Sequence, residues 1–504
     1  MTRYKYTLLL LIAIAIVCTQ FTNATKLVIL HTNDTHSQID PDENNLGGIL
    51  RRKVLIDSVR ACERNVLLVD AGDAVQGTLY YLLYKGEVES KMMNELGYEI
   101  AILGNHEFDN GLDLLHKQLS TLNATKVSTN YDLSATLLDS LFVPFAIKEY
   151  DEKRIGIIGL GIAPKGMISS RNCRGVEYLD AIKAANATAW HLKHHLHTDA
   201  VIALTHVGYD SQSPLTPNDL EIACNTENID IIIGGHSHTT INAQGQNFPI
   251  NKVTNLIGDT VLIAQTGGNG LYLGEISLDI ENKKASSRLI SVDKRLDNHI
   301  DKKSEAILYP YRHTVDSLMS IKVATSAIKL EQKGSPLINL ISDFIHKNGE
   351  ELSGEKIDVA IMNKGGIRNS LPKGDISKGH IMMTFPFENF ITIMEISGKD
   401  LAETFNIIVT RNNAGISKGA EIIFNPQTKE ITDIFINGKP IDNNKTYRVA
   451  TIDYLAGGGD YLSPLINGKT ILTSKNPLSE DLIKYLLSYK KKLNPSSTER
   501  IHPK

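Results

Sequence analysis

Ile100-Ala101-Ile102-Leu103 runs directly into Gly104-Asn105-His106-Glu107, and this passage from four apolar residues to a polar turn decides how the chain is read. The apolar run has the length of a buried strand, and the turn after it delivers an amide and an imidazole at the strand's end. Outward from it the same event recurs four times. Asp34-Thr35-His36 follows the apolar residues 27–30, Gly72-Asp73 follows 66–69, Thr205-His206 follows 200–204, and Gly235-His236-Ser237-His238 follows 229–233. Further Val, Ile and Leu runs at 155–158 and 261–264, separated by helical-length connections such as 180–197, predict buried strands in a layered α/β domain.

With 504 residues the chain exceeds one ordinary core and calls for two or three domains. Its formal net charge of −4 gives no electrostatic case for a polymeric nucleic acid as partner. Residues 1–24 combine Arg3 and Lys5, a short apolar run at 8–17 and a small residue at Ala24, the pattern of a signal peptide. Export to the periplasm or the extracellular space is therefore expected. A lipoprotein reading through Cys18 is disfavoured by the bulky Ile16 and Val17 before it. Cys62, Cys173 and Cys224 allow at most one disulfide, and no second long apolar stretch offers a transmembrane segment.

The first domain is expected over residues 25–298. A Lys-rich passage at 282–303 breaks its rhythm, and a charged helix over 299–320 reads as a linker. A smaller α/β or α+β domain is expected over 321–493, with a polar tail at 494–504. Oligomeric state is not encoded in any of these features.

Carboxylate, amide and imidazole groups gathered at strand ends form a donor set for divalent cations such as Zn²⁺ or Mn²⁺. Asp73 is suited to bridge two ions, since its two oxygens can each take one. Asp34, His36, Asn105, His206, His236 and His238 then complete four donors per ion. Any one of these clusters alone is an ordinary turn or a structural histidine. Their shared strand-end placement is what makes a site, because open α/β sheets collect ligands at the carboxyl ends of their strands. His191, His194, His195 and His197 fall together on an expected helix and are read as a solvated face.

In this order the clusters resemble the D-x-H, GD, GNH-[DE], H and GH-x-H pattern of calcineurin-like metallophosphoesterases. Leu30-His31-Thr32-Asn33-Asp34-Thr35-His36 and Gly104-Asn105-His106-Glu107-Phe108-Asp109 are similar to the forms found in the 5′-nucleotidase family. The resemblance implies two divalent ions, one held by Asp34, His36, Asp73 and His238, the other by Asp73, Asn105, His206 and His236. His238 stands where several two-domain nucleotidases carry Gln or Asn. Two cations lower the pKa of a bound water from 15.7 towards about 7, so the nucleophile is expected to be a hydroxide rather than a side chain.

His106 follows a ligand directly and Asp109 is three residues on, close enough to fix the imidazole. The pair resembles the family's His-Asp dyad, with His106 stabilising the phosphoryl group and assisting the leaving oxygen. Glu107 is expected to be structural, and His31 to stand behind the ligands.

In the second domain, Asn363-Lys364-Gly365-Gly366-Ile367-Arg368 follows an apolar run and is similar to the family's N-x-GG-IR motif. The resemblance makes Asn363, Gly366 and Arg368 substrate-binding candidates, Phe387 and Tyr454 the rings that clamp a base, and Asp460 the acceptor for ribose hydroxyls. Lys333 replaces a phosphate-binding Arg, and Tyr454 a Phe. The expected activity is 5′-nucleotidase, converting a nucleoside 5′-monophosphate and water to nucleoside and phosphate. The alternatives are a 2′,3′-cyclic-nucleotide phosphodiesterase, a nucleotide-sugar pyrophosphatase, and a nucleoside-binding surface protein without catalysis.

Overall fold

The computed structural model describes residues 25–242 and 249–504. The expected signal peptide, and Cys18 within it, lie outside those residues.

The apolar runs form strands buried on both faces, as continuous Val, Ile and Leu segments require. Lys26–Thr32, Val66–Asp70, Ile100–Ala101, Thr125–Val127 and Phe142–Val143 pair in parallel, and Tyr272–Asp279 and Lys284–Ser291 add antiparallel strands, giving a seven-stranded sheet. A six-stranded sheet places Lys252–Thr254, Thr260–Ala264, Ile231–Ile233, Ala200–His206, Lys153–Gly161 and Phe145–Tyr150 side by side. Leu27, Ile29, Leu67 and Val69 of the first sheet meet Ile155, Ile157, Ile202 and Ile231 of the second, so the two sheets share one apolar layer.

Helices cover the outer faces. Ile49–Cys62, Glu87–Leu96 and Gly111–Leu119 pack Ile56, Met92 and Leu115 on the first sheet. Ala181–His194 and Asp219–Asn225 pack Leu192 and Ile222 on the second. Asn218 opens the latter helix with a capping box, its side chain accepting from Glu221 N while the Glu221 carboxylate accepts from Asn218 N. All the parallel strands that precede the polar clusters therefore end at one edge of the sandwich.

Lys302–Ser320 is a single helix started by Asp301, whose carboxylate accepts from Lys303 N and Ser304 N. Its N-terminal part is held against the first domain, while Met319 near its other end meets Ser377 and Gly379. Ser304 Oγ donates to Glu95, Tyr311 Oη to Glu87 at 2.6 Å, and the Arg312 guanidinium reaches Asp40, which also accepts from Tyr80 Oη. Just after its last turn, Lys378 N donates to Ile321 O.

The second domain has its own core. A five-stranded sheet runs in the order Ala414–Ile416, Val359–Asn363, Thr446–Ile452, Phe390–Ser397, Lys469–Pro477, against helices Ser335–Ser353, Gly398–Arg411 and Leu478–Ser488. The polar C-terminal residues are docked rather than loose. Ile501–Pro503 adds a parallel strand to Ala420–Phe424, and Arg500 pairs with both oxygens of Asp343. Cys62, Cys173 and Cys224 are all free thiols. Among the described residues no helix is long and apolar enough to cross a membrane.

Candidate metal centre and substrate cleft

Three strand ends of the first sheet and two of the second supply the seven predicted ligands, and the structure brings them together. Two groups form, Asp34 with His36 and the exposed His238, and the fully buried Asp34 with Asp73 and His206, in each of which the donor atoms lie within 4.8 Å of one another. Asn105 Oδ1 lies 2.8 Å from His236 Nδ1, which places both beside the second group through Asp73 and Asp34. His206 Nε2 is 3.2 Å from Asp73 Oδ2, and His238 Nε2 is 3.3 Å from Asp34 Oδ1. Asp73 is the expected bridge, yet Asp34 is the carboxylate that belongs to both groups, while Asp73 falls in the second alone. Its strand lies next to that of Asp73, and both carboxylates turn in over the sheet edge.

The backbone that presents these groups is under strain. Asp34, His36, Asp73, His236 and His238 all have left-handed backbones, with φ of 49°, 47°, 53°, 74° and 52°. Such conformations cost a non-glycine residue of order 1–3 kcal/mol and gather at functional sites. Glycines then allow the close approach of the turns. A Cβ on Gly72 would stand 2.6 Å from Gly104 N, and one on Gly104 would collide with the Asp73 carboxylate.

Hydrogen bonds fix Asp34, Asp73 and His206. The His236 N–H donates to both oxygens of Asp34, His206 Nδ1 lies 2.8 Å from Ala71 O, and the His106 N–H donates to Asp73 Oδ1. Glu107 accepts from three backbone amides, Asp73, Ala74 and Gly104, so it ties two ligand turns together and is structural as expected. Asn33, which sequence reasoning passed over although it lies inside the quoted motif, does the same from the other side. Its Nδ2 donates to Asp34 Oδ2 and Gly267 O, and its Oδ1 accepts from Thr266. His31 has no part in this. Among the described residues both of its ring nitrogens lack partners, and burial keeps the ring neutral, pushing it down to about 3.

Burial would raise the carboxyls of Asp34 and Asp73, but the imidazole of His206 foremost, with His238 at Asp34 and His106 at Asp73, holds both below the ordinary value. The same balance runs in reverse at His206, where burial is outweighed by Asp73 and Asp34 and the ring is lifted to about 10. Burial pushes His36 down to about 3 and His236 to about 4, which leaves both as neutral imidazoles, the form that binds metal. Two buried carboxylates thus draw positive charge to this point, and His36 Nδ1 is buried with no partner among the described residues. The donor set fits divalent cations.

His106 and Asp109 form the expected pair, Nδ1 to Oδ2 at 2.8 Å. Burial lowers the His106 ring, but Asp109 and Asp73 outweigh it and lift it to about 9.

From the second domain, Arg368 faces this centre. Burial lowers its guanidinium, while the charges of Asp109 and Asp73 act the other way. It also lies 6.0 Å from the Phe387 ring centre. Tyr454 Oη accepts from Asp460 N at 3.1 Å, and Asp460 Oδ2 accepts from Asn363 Nδ2 at 3.1 Å, so three predicted substrate residues form one chain of contacts. Asn413, not anticipated, steadies Asp460 by donating to its carbonyl. Gly366 packs against Asn363, where a Cβ would stand 2.7 Å from Oδ1. Lys333 is exposed on the loop before helix Ser335–Ser353 and joins no ion pair among the described residues, while its neighbour Gln332 donates to Ile367 O.

Comparison with known proteins agrees with both halves of this arrangement. Residues 27–240 match the calcineurin-like phosphoesterase family and residues 317–465 match the 5′-nucleotidase C-terminal domain. The 5′-nucleotidase of Vibrio parahaemolyticus is 28% identical over 481 residues, covering 86% of this chain and 84% of that protein. The trifunctional nucleotide phosphoesterase protein YfkN of Bacillus subtilis is 28% identical over 492 residues, and the chain spans 32% of its length. Among solved structures, the 5′-nucleotidase precursor from Thermus thermophilus superposes with a TM-score of 0.82 at 28% identity, covering 95% of this chain and 99% of that one. The chain belongs to the 5′-nucleotidase family of two-domain calcineurin-like metallophosphoesterases, enzymes that hydrolyse phosphate esters.

Proposed function

We propose that this protein is an exported 5′-nucleotidase that hydrolyses nucleoside 5′-monophosphates with two divalent cations. The observation that carries the reading is Arg368, a cation from the second domain that feels the charges of the first domain's Asp109 and Asp73 and whose own charge reaches His106. A phosphoryl group between the ligand turns and Arg368 would meet positive charge from both sides. Asp34, His36, Asp73 and His238 would hold one cation, and Asp73, Asn105, His206 and His236 the other. When bound, the cations would offset phosphoryl charge and make water acidic enough to serve as nucleophile near neutral pH.

The protein's own groups do the remaining work. Asp109 orients the His106 ring and favours its protonated form, so His106 can stabilise phosphoryl oxygen charge and give a proton to the departing ribose oxygen. Arg368 orients the phosphate. Phe387 and Tyr454 offer apolar faces to a base, and Asp460, braced by Asn363 and Asn413, accepts from ribose hydroxyls.

Purified protein incubated with AMP, ADP, 2′,3′-cyclic AMP and UDP-glucose in Mn²⁺ should release phosphate fastest from AMP and lose that activity with chelator. Faster turnover of the cyclic nucleotide or the nucleotide sugar would replace this reading with the phosphodiesterase or pyrophosphatase one.

A further inference from the structure

Behind the ligand turns lies a carboxylate that the chemistry does not use. Glu89, on the first turn of helix Glu87–Leu96, is 2% exposed. One of its oxygens accepts from Ser37 Oγ, and the other has no side-chain or backbone partner among the described residues. It borders a cavity of about 10 Å³, room for a single water, lined also by Thr35, Arg52, Asp70 and Tyr98. Arg52 Nε and Nη2 are likewise buried without partners among the described residues, so one water could serve both side chains. A carboxyl group buried with so few partners destabilises the fold relative to an apolar residue of similar size. Its purpose has to be sought in what it holds.

What it holds is the turn next to a ligand. Ser37 follows His36, and both have left-handed backbones, with φ of 56° and 47°. The Ser37 N–H donates to Ala74 O, Thr78 Oγ1 donates to Ser37 O, and the two hydroxyls stand 2.8 Å apart. Ser37 therefore links the turn of His36 to the segment that follows Asp73. Glu89 anchors that link to a helix packed on the first sheet.

We propose that Glu89 is a positioning residue for the metal centre, which through Ser37 keeps the strained turn that aims His36 at the cation shared with Asp34 and His238. The inference rests on the two-cation reading above. Groups that orient a ligand without touching the metal typically contribute 10–100-fold to its affinity. Glu89 acts in this way one residue removed.

The test is equilibrium dialysis and calorimetric titration with Mn²⁺, without substrate, on the full chain and its variants. Wild-type protein should bind two ions. Glu89→Leu should weaken one of the two sites by about 10–100-fold and leave the other unchanged. Glu89→Gln, whose amide oxygen can still accept from Ser37, should restore most of that loss. Ser37→Ala should reproduce Glu89→Leu, and the double variant should be no worse than either, since both remove the same link. Ser37→Ala deletes a single oxygen and carries the test if Glu89→Leu does not fold. Wild-type affinity at both sites in folded Glu89→Leu or Ser37→Ala overturns the proposal, as does a Glu89→Gln variant as weak as Glu89→Leu. Wild-type protein that binds no Mn²⁺ defeats the two-cation reading itself.

Discussion

Nδ1 of His106 lies 2.8 Å from Oδ2 of Asp109, while the backbone N–H of the same histidine donates to Asp73 Oδ1 at 2.9 Å. One residue is thus tied by its ring to a carboxylate that orients it and by its backbone to the expected metal bridge. His106→Ala should keep both cations, measured by metal content, and lose about 10²–10⁴-fold in kcat. Loss of metal with the rate preserved would contradict the role given to the ring.

The same pair has a signature in stability. The ring is raised from 6.5 to about 9 in the folded protein, by Asp109 and Asp73 acting against burial. A raised imidazole contributes stability that is fully present below about 6.5 and lost as pH rises through about 9. Asp109→Asn, compared with wild type by denaturant unfolding in chelator, should therefore destabilise more at pH 6 than at pH 10. An equal loss at both values would rule out the charge interaction.

Gly104→Ala would drive a methyl group into the Asp73 carboxylate. Metal content and activity should fall together while the circular dichroism spectrum stays native, because the clash lies at a turn rather than in either apolar layer. Retained metal would show that the turn can yield.

Tyr454→Ala removes one face of the expected base clamp. Base stacking is worth about 1–3 kcal/mol, so KM for AMP should rise by roughly 5- to 150-fold. KM for p-nitrophenyl phosphate, which has no base or ribose, should change little. Arg368→Ala should damage both substrates, since it acts on the phosphoryl group they share.

Much of this site was legible because each ligand turn is contiguous with the strand that aims it. The stretch 100–105 carries its own strand, its own close-approach glycine and its own donor in six residues. What escaped was held by distant partners. Asn33 lies within a quoted motif, but its work depends on Thr266 and Gly267 across the sheet. His31 was expected behind the ligands, yet strand alternation turns its ring to the opposite side, against Gly274. The C-terminal strand Ile501–Pro503 is three residues long, too short to show any periodicity, and only its pairing with Ala420–Phe424 reveals it. Glu89 stands in the first turn of its helix, where acidic residues are common, so its position alone does not single it out.

The left-handed backbones of Asp34, His36, Asp73, His236 and His238 have a consequence for how this protein would change under different selection. Glycine adopts that conformation without penalty, so selection for thermal endurance alone should favour glycine at these positions and erase the site from within. A library screened only for survival after heating should enrich such replacements, and the inactive variants it recovers would be hardier than their parent. The catalytic edge of the sandwich is the part that stability by itself would not preserve.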